Sequence, residues 1–155
     1  MPDQQHQIVA ATLSETLANL AYMFVDEAPP GEWPPEGWLE ARISYSGAAS
    51  GELRLRCTHG LALKLSANLL GIEPDETAAA LGTEDAVREF ANVLGGQLVT
   101  SLYNTQDVFN LSVPDLQRPQ HPEPLPPGAE VVRVQVEGSP VELSHLVYEH
   151  CPPSK

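Results

Sequence analysis

The sequence predicts an α+β domain of two layers, in which long helices pack on one largely antiparallel sheet built from two similar helix–hairpin units. Three observations predict it. Two long stretches repeat apolar residues at three- and four-residue spacing, the helical period. Two pairs of shorter runs alternate apolar and polar residues around brief turns, the signature of hairpins. Finally, Thr16-Leu17-Ala18-Asn19 in the first long stretch lines up with Glu89-Phe90-Ala91-Asn92 in the second. A length of 155 residues suits one domain over the whole chain, with a core from about 5 to 149.

The first helix is expected over Gln4–Val25, burying Ile8, Leu13, Leu17, Leu20, Ala21 and Phe24. Prolines 29 and 30 end it, and a proline-rich loop over 28–37 follows, flanked by Trp33 and Trp38 at the core edge. Leu39–Ser46 and Gly51–Cys57 alternate strictly enough for strands, and Gly47-Ala48-Ala49-Ser50 suits the loop between them. Gly60–Leu70 is a short helix that Gly71 caps. The acidic link Glu73-Pro74-Asp75-Glu76 leads to the central helix, Gly82–Tyr103. Val108–Val113 forms a strand that Pro114 ends, and a second proline-rich loop spans 117–129. Glu130–Val136, the turn Glu137-Gly138 and Val141–Tyr148 make the last hairpin, before a disordered tail at 151–155.

The central helix organises the rest. Thr83 is expected as its N-cap, with Glu84 and Asp85 in the first turn, where carboxylates favour the helix dipole. At about 100° per residue, Ala86, Val87, Phe90, Leu94, Leu98 and Ser101 fall on one face. Asp85, Glu89, Asn92 and Gly96 then form a polar stripe within roughly 60° on the opposite side. Each of Gly95 and Gly96 costs up to about 1 kcal/mol against alanine in a helix. The pair therefore invites a reason, such as close approach by another chain.

Composition excludes several classes. The net charge of −13 leaves no basic patch for nucleic acid or an anionic membrane surface. Cys57 and Cys151 make no disulfide framework, the start carries no signal-peptide pattern, and no apolar run is long enough to span a bilayer, which fits a reducing cytoplasm. The five histidines, His6, His59, His121, His145 and His150, lack metal-ligand spacing.

The pattern Asp85-x3-Glu89-x2-Asn92, with Gly96 and, after twenty-one residues, Pro114, resembles the signature of the CheC/CheX/FliY phosphatases of bacterial chemotaxis. Gly51-Glu52-Leu53 before an alternating strand and Ala62-Leu63-Lys64 in a helix closed by Gly71 are also similar to that family. A full acid-plus-amide pair occurs once, since Thr16 stands where the second half has Glu89, so the chain is closer to CheX than to CheC with its two sites. The resemblance implies an aspartyl-phosphate phosphatase acting on a CheY-like receiver. In that role Asn92 orients the attacking water and Glu89 pairs with the partner's lysine. Asp85, Gly95, Gly96 and Pro114 serve docking. It also implies a homodimer joined through a sheet edge.

Such a pair is a poor enzyme alone: it has no nucleophile with an adjacent base and no phosphate-cradling glycine loop. An amide can, however, aim a water, and phosphoryl transfer is mostly positioning and electrostatics. The resemblance implies no cofactor of the chain's own, with Mg²⁺ and the lysine belonging to the partner receiver. The competing readings are a non-catalytic receiver-binding module using the same stripe, and a scaffold acting through its sheet edge. Asn19 is expected to be structural or vestigial.

Overall fold

A computed structural model of the chain describes residues 4–26, 37–103, 108–118 and 124–148. The expected tail at 151–155 lies outside the described residues, as do Trp33 and most of the first proline-rich loop.

Strand alternation builds the sheet. Strands β1 (Trp38–Ser46) and β2 (Gly51–Thr58) form one antiparallel hairpin, and β5 (Glu130–Val136) and β6 (Ser139–Val147) form another. Glu137 and Gly138 take positive φ (50° and 82°), the left-handed pair that a tight two-residue hairpin demands. The Asp26 carboxylate accepts from both of their N–H groups, at 3.3 and 3.1 Å. β2 and β6 pair at the centre, giving the order β3-β1-β2-β6-β5, where β3 is Asn110–Leu111. The short β4 (Asp115–Gln117) also pairs with β1. The β2–β6 register is symmetric about Arg54↔Ser144, so Gly51 meets Val147 and Cys57 meets Val141. Gly51-Glu52-Leu53 and Val141-Glu142-Leu143 thus occupy equivalent places in two hairpins, each preceded by a long helix.

The inward face, with Leu39, Ala41, Ile43, Leu53, Leu55, Cys57, Val132, Val141 and Leu143, meets α1 (Gln4–Ala21), α2 (His59–Leu70) and α4 (Thr83–Tyr103) in one core. Burial pushes the Cys57 thiol up to about 12, so it packs as an inert apolar group. Phe90, Leu94 and Leu98 of α4 are almost wholly buried, contributing about 1.5–3 kcal/mol each. At the end of α4, the Tyr103 and Tyr45 hydroxyls share a hydrogen bond of 2.5 Å, and Tyr45 meets His145 Nε2 at 2.8 Å. A Cβ at Gly51 would stand 2.6 Å from the Tyr45 hydroxyl, which is why glycine faces Tyr45 across the hairpin.

The other face of the sheet carries an ionic ladder. Arg56 donates to Glu40 (2.7 Å) and Glu142 (3.3 Å), Arg42 donates to Glu40 (2.9 Å), and Arg54 donates to Glu52 (2.8 Å). Burial works to raise the pKa of Glu40, but the hydrogen bonds and charges of Arg56 and Arg42 outweigh it and hold the carboxyl below its ordinary range.

Several expectations need correction. The first helix stops at Ala21, not Val25, because Tyr22 turns left-handed (φ 58°), which buries Met23 and leaves Phe24 exposed. Val25 instead bridges to Val136. The link before the central helix holds a further short helix, α3 (Thr77–Leu81), which runs through Gly82 into α4. Thr83 is therefore no N-cap: it is buried, and its hydroxyl donates back to the Ala80 carbonyl. Ser101 is exposed and not on the buried face. The strand expected over 108–113 shrinks to β3, and the chain rejoins β1 after Pro114 as β4, where a loop was expected from 117.

Candidate functional site

Helix α4 lies on the sheet beside β1, and its buried residues fix which way every other side chain points. Thr83, Ala86, Val87, Phe90, Ala91, Leu94, Gly95, Leu98 and Val99 are buried. By helical geometry the side opposite them points away from the sheet. Asp85, Glu89 and Asn92 are exposed there. Gly96 belongs to the same stripe, and a Cβ built on it would have no neighbour within 4 Å. Glu89 and Asn92 are thus adjacent, one turn apart, on the outward ridge of a well-anchored helix.

Gly95 does not belong with them. A Cβ there would approach Leu111 Cδ2 at 3.0 Å, Ile43 Cδ1 at 3.4 Å and Leu53 Cδ1 at 3.6 Å. The close approach that Gly95 permits is to the chain's own sheet, so it leaves the docking set as a packing glycine. Pro114 is half-buried between β3 and β4. Just before it, Ser112 N–H donates to the Ser44 carbonyl (2.8 Å), and Ser44 N–H donates to Ser112 Oγ (2.9 Å). A proline suits this break, because an edge strand can lose a donor there. Leu111 packs on Gly95, and Arg118 pairs with Glu84. The segment carrying Pro114 therefore runs alongside α4 between those two ties, level with the stripe.

The sequence reading missed the charge clamp at the start of α4. Arg118 holds the Glu84 carboxylate through two guanidinium nitrogens. That contact, with the charges of Arg118 and Arg88, keeps Glu84 below its ordinary pKa against a small opposing effect of burial. Arg88 reaches Asp85 at 3.4 Å and Glu84 at 3.8 Å. The Arg88 contacts were legible at i+3 and i+4 spacing; Arg118, thirty-four residues from Glu84, left no local signal. Both arginines flank the stripe on its β4 side, and the ion pairs of Arg88 run back along the helix, away from Glu89. Asn19 of α1 is exposed.

Among the described residues, no group of three His, Cys, Asp or Glu side chains could hold a metal ion, and no helix is long and apolar enough to cross a membrane. Beyond Asp85, which Arg88 reaches, the ridge offers the Glu89 carboxylate and the Asn92 carboxamide on a convex surface. Such a pair can position a water and meet a cation, given a second molecule that brings the electrophile.

A family model described as chemotaxis phosphatase CheX matches residues 39–123. The comparison with curated proteins gave no match. Solved structures match over nearly the whole chain. A chemotaxis protein CheX from Desulfovibrio desulfuricans shares 15% identity at a TM-score of 0.73, covering 94% of this chain and 100% of its own. A putative chemotaxis protein from Desulfovibrio vulgaris Hildenborough shares 18% identity at a TM-score of 0.75, covering 94% and 97%. A chain of the CheX–CheY–BeF3–Mg²⁺ complex from Borrelia burgdorferi shares 18% identity at a TM-score of 0.68, covering 92% and 97%. At these identities the likeness is one of fold.

Proposed function

The chain belongs to the CheX family of chemotaxis phosphatases, and from that premise we propose that it accelerates hydrolysis of the aspartyl phosphate on a CheY-like receiver. The observation that carries the proposal is the exposure of Glu89 and Asn92, side by side on the outward ridge of a helix whose back is buried. The Borrelia complex joins a CheX-fold protein to CheY with BeF3 and Mg²⁺; such a beryllofluoride resembles a phosphoryl group in shape and charge.

In this reading the convex ridge enters the partner's active site. Asn92 accepts a hydrogen bond from a water through its side-chain oxygen, fixing that water in line with the scissile P–O bond. The amide N–H₂ offers a donor to charge developing on the phosphoryl oxygens. Glu89, one turn earlier, pairs with the partner's lysine and sets the docking register. The partner's Mg²⁺ supplies neutralisation of the phosphoryl charge, so the chain needs no metal of its own. Asp85 supports the docking edge, Gly96 leaves room for a partner loop, and Pro114 holds the edge beside the ridge.

The test is phosphate release from an acetyl-phosphate-charged receiver, with wild type against Asn92→Ala. Loss of one positioning group should lower the accelerated rate at least about 100-fold, near 2.7 kcal/mol, with the fold intact. An Asn92→Ala protein as fast as wild type would sink the mechanism. Receiver binding by wild type with no change in phosphate lifetime would reduce the chain to a docking module.

The β5 edge is the surface we assign to a second copy. β5 ends the strand order, and its outer side is met at the strand's end, where Val25 bridges Val136 and Asp26 N–H donates to the Gln135 carbonyl (2.7 Å); an antiparallel edge strand is a template for strand addition. A monomer by light scattering at micromolar concentration removes this assignment.

A further inference from the structure

The groove between α1 and α4 adjoins the ridge but plays no part in the mechanism above. It holds a half-open cavity of about 110 Å³ lined by Glu15 and Asn19 of α1 and by Val93, Gln97 and Ser101 of α4, together with the buried Thr16. The Thr16 hydroxyl donates to the Thr12 carbonyl (2.7 Å) and is spent within its own helix. Glu89, Val93 and Gln97 follow one another at four-residue spacing, so a single row on α4 leads from the ridge into the cavity. A partner seated on Glu89 and Asn92 therefore overhangs the cavity within about one helical turn, roughly 5 Å.

We propose that this groove is the second half of the receiver-docking surface and that it takes one basic side chain of the docked receiver, paired with Glu15. The inference rests on the phosphatase reading and deepens it by naming a specificity determinant. Charge selects the occupant. The lining holds one carboxylate, two side-chain amides and three hydroxyls, with no lysine or arginine. Arg88 and Arg118 stand on the other flank of α4, engaged with Glu84 and Asp85. A lysine or arginine end finds a full negative charge and several oxygen acceptors here, whereas an acidic group meets repulsion. Size selects as well. The cavity matches the volume of about three or four liquid waters, which admits the end of one long side chain and excludes a helix or loop.

The experiment is steady-state phosphate release from the receiver that wild type turns over. A parallel titration follows binding of the same receiver loaded with BeF3⁻ and Mg²⁺. Glu15→Lys is expected to raise KM and the dissociation constant at least about tenfold at low salt, and Glu15→Gln about threefold, while kcat stays within twofold. Ser14→Lys changes the charge by one unit, as Glu15→Gln does, on an exposed α1 position outside the cavity, and should leave KM unchanged within error. Equal effects from Glu15→Gln and Ser14→Lys, which change the charge equally, would reduce the groove to general electrostatics and overturn the proposal. So would an unchanged KM for Glu15→Lys beside an inactive Asn92→Ala, and that result leaves the phosphatase reading standing. A wild type that neither binds nor turns over any receiver overturns both.

Discussion

Replacing Gly96 by alanine should stabilise the protein and impair its docking at the same time. Glycine inside a helix costs about 0.8–1 kcal/mol against alanine, through the backbone freedom it must give up. At Gly96 nothing opposes that gain, because the added methyl meets no atom within 4 Å. For a chain of this length, about 1 kcal/mol corresponds to a rise in Tm of about 2–4 °C. Gly95→Ala carries the same propensity gain, but its methyl lands 3.0 Å from Leu111 Cδ2. Leu111 is half-buried on a two-residue edge strand and can yield by a few tenths of an ångström. The two effects roughly cancel, and Tm should stay within about 1 °C. Gly95→Val adds branching against Ile43 and Leu53 and should cost about 1–3 kcal/mol. Thermal unfolding followed by far-UV circular dichroism separates the three variants. A lower Tm for Gly96→Ala would refute the placement of this glycine in open space. A higher Tm with an unchanged KM for the receiver would remove Gly96 from the docking face.

Glu89→Lys places two cations together if the partner's lysine meets this position, and should raise KM at least about tenfold, roughly 1.4 kcal/mol; unchanged affinity would take Glu89 out of its role. Acid should unfold the protein in two stages. Burial lowers the pKa of His145, partly offset by the Glu130 charge. The unfolded chain therefore takes up that proton first, and stability begins to fall as pH drops below about 6.5. Glu40 is held below its ordinary value of 4.5, so its contribution is full above that pH and is lost as pH falls through the lower folded value. Glu40→Gln should remove the second stage, and leaving Arg56 short of a partner should cost about 3–5 kcal/mol at neutral pH. Urea midpoints measured from pH 7 to pH 3 report both, and an unchanged acid limb in Glu40→Gln would refute the assignment.

Period and punctuation made most of the fold legible. Strict alternation located β1, β2 and β5 to within a residue or so, and Gly71 ended α2 where a left-handed cap (φ 72°) was expected. Where the reading failed, tertiary contacts had overridden local signals. Phe24 continued the apolar period of α1, yet the turn at Tyr22 delivers Met23 to the core instead. The Thr83-Glu84-Asp85 sequence has the chemistry of an N-cap, but α3 already feeds α4 through Gly82, so the threonine is needed for packing and not for capping. The orientation of Glu89 and Asn92 was legible because Phe90 and Leu94 leave the helix no other way to sit. Gly95 and Gly96 are chemically identical neighbours, and only the positions of Ile43 and Leu111 distinguish a packing glycine from an open one.

The same geometry explains why this site escapes the usual search. Enzymes that carry their own chemistry hide it in concave, desolvated pockets where ionisable groups titrate abnormally. A protein that completes another protein's active site faces the opposite demand. Its side chains must stand on a convex ridge, exposed until the partner closes over them. On the function proposed above, desolvation would occur only in the complex, where the fields around Asn92 and Glu89 would gain strength as water leaves. Rigidity has to come from behind, and the buried row Phe90, Leu94 and Leu98 provides it, with the Tyr103–Tyr45 contact fixing the helix end. Loosening that support without touching the ridge should therefore lower kcat more than it raises KM, because a misplaced water costs more than a slightly worse fit.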